Sequence, residues 1–339
     1  MIDLNLIWFI LIAVLIVGYA VLDGFDLGVG IIHLFTKDEK EKRININAIG
    51  PVWDGNEVWL ITAGGALFAA FPMVYATVFS SFYIALMLLL TALIMRAVSF
   101  EFRGKVESKS YKNIWDSAFG YGSLFISLLL CVAYGNILKG IPIDSNGIFR
   151  GSFIGLLNPY ALLVGLTGVA LFVMHGAVYM TAKTEGLQQE RMIKWANGAW
   201  IVFISLYVIT TLATFFYAKY LFDGITSNPL FWIFFLTLLI SIALLPVQLK
   251  SGKYFRSFLI SSLIVVSVIG LSAVSLFPYL TPSSIDLNYS LTAYNASSSQ
   301  YTLKTMLIIA LIGMPLVIAY TVYVYRIFKG KVEITEESY

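Results

Sequence analysis

Residues 6–33 form an apolar stretch, LIWFILIAVLIVGYAVLDGFDLGVGIIH, that is long enough to cross a lipid bilayer and yet contains two acids, Asp23 and Asp26. A helix of about 20 apolar residues crosses the hydrocarbon core of a membrane. An acid near the centre of that core costs about 2.5–3.5 kcal/mol, so it is expected to face protein or water rather than lipid. The stretch therefore predicts a membrane-spanning helix with a polar site on one face.

A second stretch, residues 53–71, combines apolar sequence with the motif Trp53-Asp54-Gly-Asn-Glu57. In each motif two acids are three residues apart, which places both on one face of a helix. A series of such carboxyls suits the movement of protons or cations, and Asn56 is placed to hold a bridging water. Asp54 and Glu57 also suit a helix N-terminus, where a cap and the helix dipole favour acids without any role in transport.

The composition identifies an all-α polytopic membrane protein. The chain of 339 residues is 59% hydrophobic and 12% charged, with a mean hydropathy of +0.85. These values are far from those of soluble globular domains. The one cysteine, Cys131, excludes a disulfide within the chain, and we expect it to behave as a small buried hydrophobe. The sequence contains no phosphate-binding loop, dinucleotide fingerprint or zinc-protease motif, and nothing in it indicates nucleic-acid binding.

Nine stretches are predicted to span the membrane, and the second is the most polar of them. They are 6–33, 53–71, 76–101, 113–138, 158–182, 195–219, 229–249, 256–277 and 302–328. We expect spans one to four and five to eight to form two four-helix bundles, with the ninth helix peripheral. The predicted divisions are 1–138 (first bundle with the acidic motifs), 139–157 (external loop), 158–277 (second bundle, mainly scaffold), 278–301 (external loop) and 302–339 (ninth helix and cytoplasmic tail).

The basic residues predict the orientation of the chain. Of the 22 Lys and Arg residues, seventeen lie after spans one, three, five and seven or in the C-terminal tail, and four lie on the opposite side. The remaining one, Arg96, lies within span three. Because basic loops stay in the cytoplasm, the N-terminus is predicted outside and the C-terminus inside. This orientation places the intramembrane acids in the cytoplasmic half of the membrane.

The candidate site residues are charged groups that this orientation brings to similar depth, with the small and aromatic residues around them. The predicted proton path is Asp23, Asp26, Asp54 and Glu57; the predicted cytoplasmic mouth is Glu101 or Asp116; the predicted ion-pair or tuning residues are Arg96 and Arg103; the predicted packing residues are Gly24, Gly28, Trp53 and Trp59. One alternative stays open at this point, in which Arg96 forms a static ion pair with one of the acids.

Two histidines, His33 and His175, lie on separate spans. Two imidazoles on different helices can ligate a b-type haem between them. A single histidine on a helix is more often a packing or interfacial residue. We therefore expect no cofactor and no metal to be bound by ligands of this chain.

Several motifs resemble subunit II of cytochrome bd-type quinol oxidases. The run from Gly18 to Gly30, GYAVLDGFDLGVG, is similar to the first helix of that family, and the run from Pro51 to Tyr75 is similar to its second. Phe100-Glu-Phe-Arg103 and Leu157-Asn-Pro159 fit the same pattern. The resemblance in length and span number covers the whole chain, whereas similarity in detail fades after about residue 185.

The resemblance implies a function in a bacterial respiratory chain. Such enzymes oxidise quinol in the plasma membrane and reduce dioxygen to water. Two b-type haems and one d-type haem would be held by a partner, subunit I, and a small single-helix accessory subunit would complete the complex together with lipids and quinone. The chain itself would stabilise subunit I and conduct protons from the cytoplasm through Asp23, Asp26, Asp54 and Glu57. In some relatives an amide replaces the acid at the position of Glu57.

Two other functions fit the same residues. The chain would be a purely structural partner if subunit I conducts all the protons. It would be a proton- or cation-coupled secondary transporter if the acids serve a flux of their own, although broken helices and inverted repeats typical of such transporters are not visible in the sequence.

Overall fold

The structure, a computed structural model, describes residues 3–334. The predicted divisions include residues 1–2 and the last residues of the tail, 335–339, which lie outside the described residues. The described range contains twelve α-helices and one two-stranded antiparallel sheet. The helices are α1 Leu4–His33, α2 Glu39–Ile49, α3 Trp53–Ala70, α4 Pro72–Ser81, α5 Tyr83–Phe102, α6 Lys109–Lys139, α7 Phe153–Leu156, α8 Pro159–Lys183, α9 Gly186–Tyr217, α10 Pro229–Lys250, α11 Tyr254–Leu276 and α12 Gln300–Ile327, and the strands are β1 Tyr279–Thr281 and β2 Leu291–Thr292.

Eight helices within residues 3–334 are long and apolar enough to cross a membrane: α1, α5, α6 and α8 to α12. They coincide with eight of the nine predicted spans, and the prediction of an all-helical membrane protein is confirmed. The other predicted span, 53–71, corresponds to α3, whose first turns carry the acidic motif and dilute its hydropathy. The crossing of the membrane by α3, the two bundles and the orientation across the membrane stay predictions.

The prediction of one continuous span from 76 to 101 is wrong at its start, because its first residues belong to the separate helix α4. Phe71 leaves helical geometry, with φ −136° and ψ 66°, and Pro72 begins α4. Proline suits the first position of a helix, since the missing N–H has no partner to lose there. The Thr77 hydroxyl of α4 then donates to the carbonyl of Gly147 at 2.9 Å. The chain leaves helical geometry again at Phe82, with φ −98° and ψ 17°, so α5 begins seven residues later than predicted.

The two ends of the helices differ in their loops. The end reached by α1 at His33 carries most of the Lys and Arg residues and is called the basic end below. At the opposite end, the long connections after α6 and before α12 fold against each other through a bridge between Ile141 and Ser283. The Asn5 amide at the start of α1 donates to the Ala293 carbonyl at 2.8 Å. The two longest predicted external loops therefore form one compact cap over the start of α1.

The first helix lies at the centre of the fold and packs against α3, α6, α8 and α11. It approaches α8 most closely where Gly28 faces Gly176, because a Cβ atom added to Gly28 would lie 1.9 Å from the Phe172 carbonyl oxygen. Small residues permit such close contact between membrane helices. As a result, every residue from Asp23 to His33 is buried. The central position of α1 thus removes its two acids from the surrounding lipid.

Candidate functional site

The first acid of α1 forms a bidentate ion pair with the arginine of α5. The Arg96 Nη2 atom lies 2.6 Å from Asp23 Oδ1, and Nη1 lies 3.1 Å from Asp23 Oδ2. Both side chains are 0% exposed. Two parallel charge-assisted hydrogen bonds fix both position and orientation, and a buried pair of this kind has little freedom to separate. Asp23 and Arg96 therefore form a rigid charged unit inside the helix bundle.

Arg96 also faces a second acid, on α3. Its Nη1 atom lies 3.7 Å from Glu57 Oε2, and the Glu57 side chain is 18% exposed. Tyr19, one helical turn before Asp23 on α1, is buried beside the same group of charges. Arg96 thus lies between a fully buried carboxylate and a partly accessible one.

The second acid of α1 is bound by an amide instead of an arginine. Asn56 Nδ2 on α3 donates to Asp26 Oδ2 at 2.7 Å and to the Leu22 carbonyl at 3.2 Å. The Tyr325 hydroxyl on α12 donates to Asn56 Oδ1 at 3.0 Å. A hydrogen-bonded chain therefore runs from α12 through α3 to the buried carboxyl of α1.

Three buried polar atoms of this site have no hydrogen-bond partner among residues 3–334: Tyr19 Oη, Asp26 Oδ1 and Arg96 Nε. Buried polar groups in folded proteins are almost always paired with protein or ordered water. Unlike Asp23, whose two oxygens both accept from Arg96, Asp26 thus keeps one oxygen available to a further donor. That oxygen is a suitable place for a proton to bind.

A surface groove lies between α3 and α5. Its cavity is about 510 Å³, and it brings together the exposed acids Asp54 and Glu101. Trp53 stacks on Phe100 with ring centroids 4.6 Å apart and forms one wall. The groove lies at the basic end and is lined by Gly50, Trp53, Asp54, Ala97, Val98, Glu101 and Phe102.

The other predicted mouth residue, Asp116 at the start of α6, lies in a separate cluster of charges. It accepts from His33 Nε2 at 2.9 Å, from Lys42 Nζ at 2.8 Å and from Arg103 Nε at 2.5 Å. Arg103 also contacts Glu39 Oε1 at 2.9 Å. Three cationic or donor groups hold Asp116 in place, and they come from α1, α2 and the short turn after α5.

The predicted site residues thus fall into three places. The buried centre contains Asp23, Asp26, Glu57 and Arg96; the groove contains Asp54 and Glu101 with Trp53; the separate cluster contains Asp116 and Arg103. The predicted packing residues surround the centre. A Cβ on Gly24 would lie 2.8 Å from the Phe172 ring, and the Trp59 ring lies against Gly18, where a Cβ would approach it to 2.2 Å.

The two histidines differ in their hydrogen bonding. His175 is buried, with Nδ1 2.8 Å from Ser261 Oγ and Nε2 3.0 Å from the Val21 carbonyl, so both ring nitrogens are engaged. His33 is 1% exposed and contacts Asp116 through Nε2, and its Nδ1 has no hydrogen-bond partner among residues 3–334. Across the described residues, no three His, Cys, Asp or Glu side chains are grouped as metal ligands.

Two residues of the buried centre were not predicted from the sequence, Tyr19 and Tyr325. Tyr325 is one of several tyrosines near the end of α12, and Tyr320 and Tyr323 on the same helix are exposed. The sequence alone offers no signal that distinguishes them. Leu303 marks the buried side of α12. With that contact known, the helical repeat could have narrowed the choice among the three tyrosines.

Comparisons with known proteins agree with the resemblance in the motifs. A family model described as cytochrome bd terminal oxidase subunit II matches residues 4–328. Cytochrome bd-I ubiquinol oxidase subunit 2 of Escherichia coli is 36% identical, over 97% of this chain and 95% of that protein. Cytochrome bd ubiquinol oxidase subunit 2 of Bacillus subtilis is 37% identical, over 98% of both chains.

The fold is also similar to that of a solved structure. A chain of the bd oxidase from Geobacillus thermodenitrificans superimposes with a TM-score of 0.81, covering 96% of this chain and 99% of that one. The two chains are 16% identical, so this similarity concerns the fold alone.

Proposed function

This chain belongs to the cytochrome bd terminal oxidase subunit II family, and from that premise and its buried acids we propose that it conducts protons to the site of oxygen reduction. It is a subunit of a quinol-oxidising oxidoreductase complex and a multi-pass bacterial membrane protein. The family implies a partner subunit I, haem cofactors and quinol in the complex.

The finer arrangement is part of the proposal. We place the basic end in the cytoplasm, because Lys and Arg concentrate in its loops. The chain would then cross the membrane nine times, with α3 as the second span, in two four-helix bundles and a peripheral α12. The two b-type haems and the d-type haem would belong to subunit I, since both ring nitrogens of His175 are engaged within this chain and His33 is buried against Asp116. Stabilising subunit I is the second role.

The groove between α3 and α5 is the proposed cytoplasmic mouth. Asp54 and Glu101 are exposed there and exchange protons with water. Glu57 follows one helical turn after Asp54, is partly accessible, and faces Arg96. This position suits it to pass protons from the groove to the buried centre.

Asp26 is the proposed proton carrier in the centre, whereas Asp23 is the fixed charge that accompanies Arg96. Asp23 Oδ1 and Oδ2 both accept from the guanidinium, and breaking a buried pair costs several kcal/mol. Asp26 has an unpartnered Oδ1 and receives one amide hydrogen at Oδ2. The single observation that carries the proposal is this difference between the two acids of one helix. Reduction of dioxygen at the haems of subunit I consumes one proton for each electron, and Asp26 would supply those protons.

Asp26→Asn should lower oxygen consumption by about tenfold or more while leaving the haem content of the complex unchanged. The amide keeps the size of the side chain but cannot carry a proton, and an added barrier of about 1.4 kcal/mol is tenfold in rate. The measurement is quinol-driven oxygen consumption by the purified complex, with proton uptake followed by a pH dye in proteoliposomes.

Asp144→Asn is the matched control, because it makes the same change in an acid outside the path. The backbone N–H of Ile148 and the Arg150 guanidinium hold the pKa of Asp144 below its usual range, so this acid serves its own loop. The Asp144→Asn complex should consume oxygen at the wild-type rate. Normal oxygen consumption and proton uptake in Asp26→Asn would refute the proposed path. Loss of haem from that variant would instead favour a purely structural partner.

A further inference from the structure

The last helix of the chain touches the rest of the protein mainly at its two ends. Near its start, the Leu303 carbonyl accepts from Trp8 Nε1 at 2.9 Å, and Leu303 is the buried residue of the helix. Near its end, Tyr325 reaches Asn56. The side chains between these points, such as Leu311 at 66% exposed and Tyr320 at 66% exposed, face outward. Tyr325 is therefore an inward polar contact on a helix that otherwise presents apolar side chains to its surroundings.

The contact completes the hydrogen bonding of the Asn56 amide. An asparagine side chain has two N–H donors and one carbonyl acceptor. Here the donors go to Asp26 Oδ2 and to the Leu22 carbonyl, and the acceptor takes the hydroxyl of Tyr325. The hydroxyl thus pairs with the Asn56 oxygen, while the Leu22 carbonyl and the Asp26 carboxylate accept from its nitrogen. Without that hydroxyl the buried Asn56 oxygen loses its donor, and the amide is held from its nitrogen side alone.

The segment after α12 holds Tyr325 at this position. The Lys183 ammonium at the end of α8 donates to the Phe328 carbonyl at 2.5 Å, and the Val332 N–H donates to the Lys183 carbonyl at 2.9 Å. Lys331 donates to the Thr184 carbonyl and lies 5.6 Å from the centre of the Tyr254 ring. These contacts anchor the basic end of α12 to α8 and α11, so the reach of Tyr325 to Asn56 does not depend on the lipid-facing part of the helix.

We propose that Tyr325 is a positioning residue, which orients Asn56 so that its amide stabilises the ionised form of Asp26. A hydrogen bond donated to a carboxylate favours the charged form, and its loss favours the protonated form. The packing of α12 against α3 would thereby set the proton affinity of Asp26. This inference rests on the proposed function of Asp26 as that carrier.

Four other titratable or charged groups face Asp26 and stay unchanged in the test: Asp23 on α1, Glu57 on α3, Arg96 on α5 and Tyr179 on α8. Tyr325 on α12 differs from them because it acts through Asn56, which makes its hydroxyl the group to remove.

Tyr325→Phe should shift the pH profile of oxygen consumption toward higher pH by about one unit, which corresponds to a tenfold change in proton affinity. The phenyl ring keeps the packing, so haem content and thermal stability should stay at the wild-type level. Tyr323→Phe is the matched control, because it removes a hydroxyl two residues away from a side chain that is 62% exposed. Its profile should match the wild type.

Asn56→Leu provides a second route to the same result, because it removes the amide itself. The profile should shift in the same direction, and Tyr325→Phe added to Asn56→Leu should cause no further shift. A Tyr325→Phe profile that coincides with that of Tyr323→Phe overturns the inference, as does a further shift in the double variant.

Infrared difference spectra separate a failure of this inference from a failure of the proposed function. The carboxyl band that disappears in Asp26→Asn reports the protonation of Asp26 and should titrate at higher pH in Tyr325→Phe. If Asp26→Asn turns over normally while the band still moves, the positioning role stands and the proton path falls. If Asp26→Asn is slow while neither the band nor the profile moves in Tyr325→Phe, the path stands and the positioning role falls.

Discussion

Arg96→Met should destabilise the complex by about 3–5 kcal/mol, because it leaves the fully buried carboxylate of Asp23 without a partner. The methionine fills much of the space of the arginine stem, so the loss comes from the orphaned charge rather than from a cavity. We expect a lower midpoint of thermal unfolding and a much lower yield of assembled, haem-containing complex.

A double variant identifies the orphaned charge as the cause. Asp23→Asn combined with Arg96→Met removes both charges and should recover most of the lost stability, since a buried ion pair adds little over neutral groups that fill the same space. Arg103→Met is the matched single control. In Arg103→Met the partner Asp116 keeps its contacts with His33 and Lys42. This variant should therefore lose clearly less stability than Arg96→Met. Equal losses for Arg96→Met and Arg103→Met would contradict the special cost of the buried pair.

Gly28→Ala should destabilise the protein by about 1–3 kcal/mol or more, as expected for overpacking at a rigid contact. The new Cβ would lie 1.9 Å from the backbone oxygen of Phe172, and a backbone atom cannot rotate away. The helices α1 and α8 must therefore separate. Because Asp26 is two residues from Gly28, oxygen consumption per assembled complex should fall as well.

Gly64→Ala is the matched control for this change. No atom lies within 4 Å of a Cβ built on Gly64, and alanine is a better helix former than glycine by about 1 kcal/mol. This variant should be as stable as the wild type or slightly more stable. The comparison is made from thermal unfolding midpoints and from the turnover of equal amounts of haem-containing complex. A Gly28→Ala protein that unfolds at the wild-type temperature would show that the contact between α1 and α8 at Gly28 is not as tight as described.

The spans were predictable because membrane insertion depends on composition over long windows. Eight apolar helices lie close to their predicted positions, and the prediction was weakest where local chemistry competes with hydropathy. The polar start of α3 and the helix break at Phe82 depend on a few residues. A window average does not contain that information.

The four charged residues of the buried centre were predictable from the sequence, but their pairing and the two tyrosines beside them were not. Span order indicated that Asp23, Asp26, Glu57 and Arg96 lie at similar depth. The rotation of each helix about its axis decides which acid receives the arginine, and that rotation follows from contacts such as Gly28 with α8. Tyr325 lies hundreds of residues away from Asn56 in the chain, so no local pattern connects them.

The cap over the start of α1 has a consequence for the synthesis of the protein. Asn5 binds Ala293, 288 residues further along the chain, and Trp8 binds the carbonyl of Leu303. The ribosome therefore produces nearly the whole polypeptide before the first helix can form these contacts. A chain released early by the ribosome would therefore lack this closure at the start of α1.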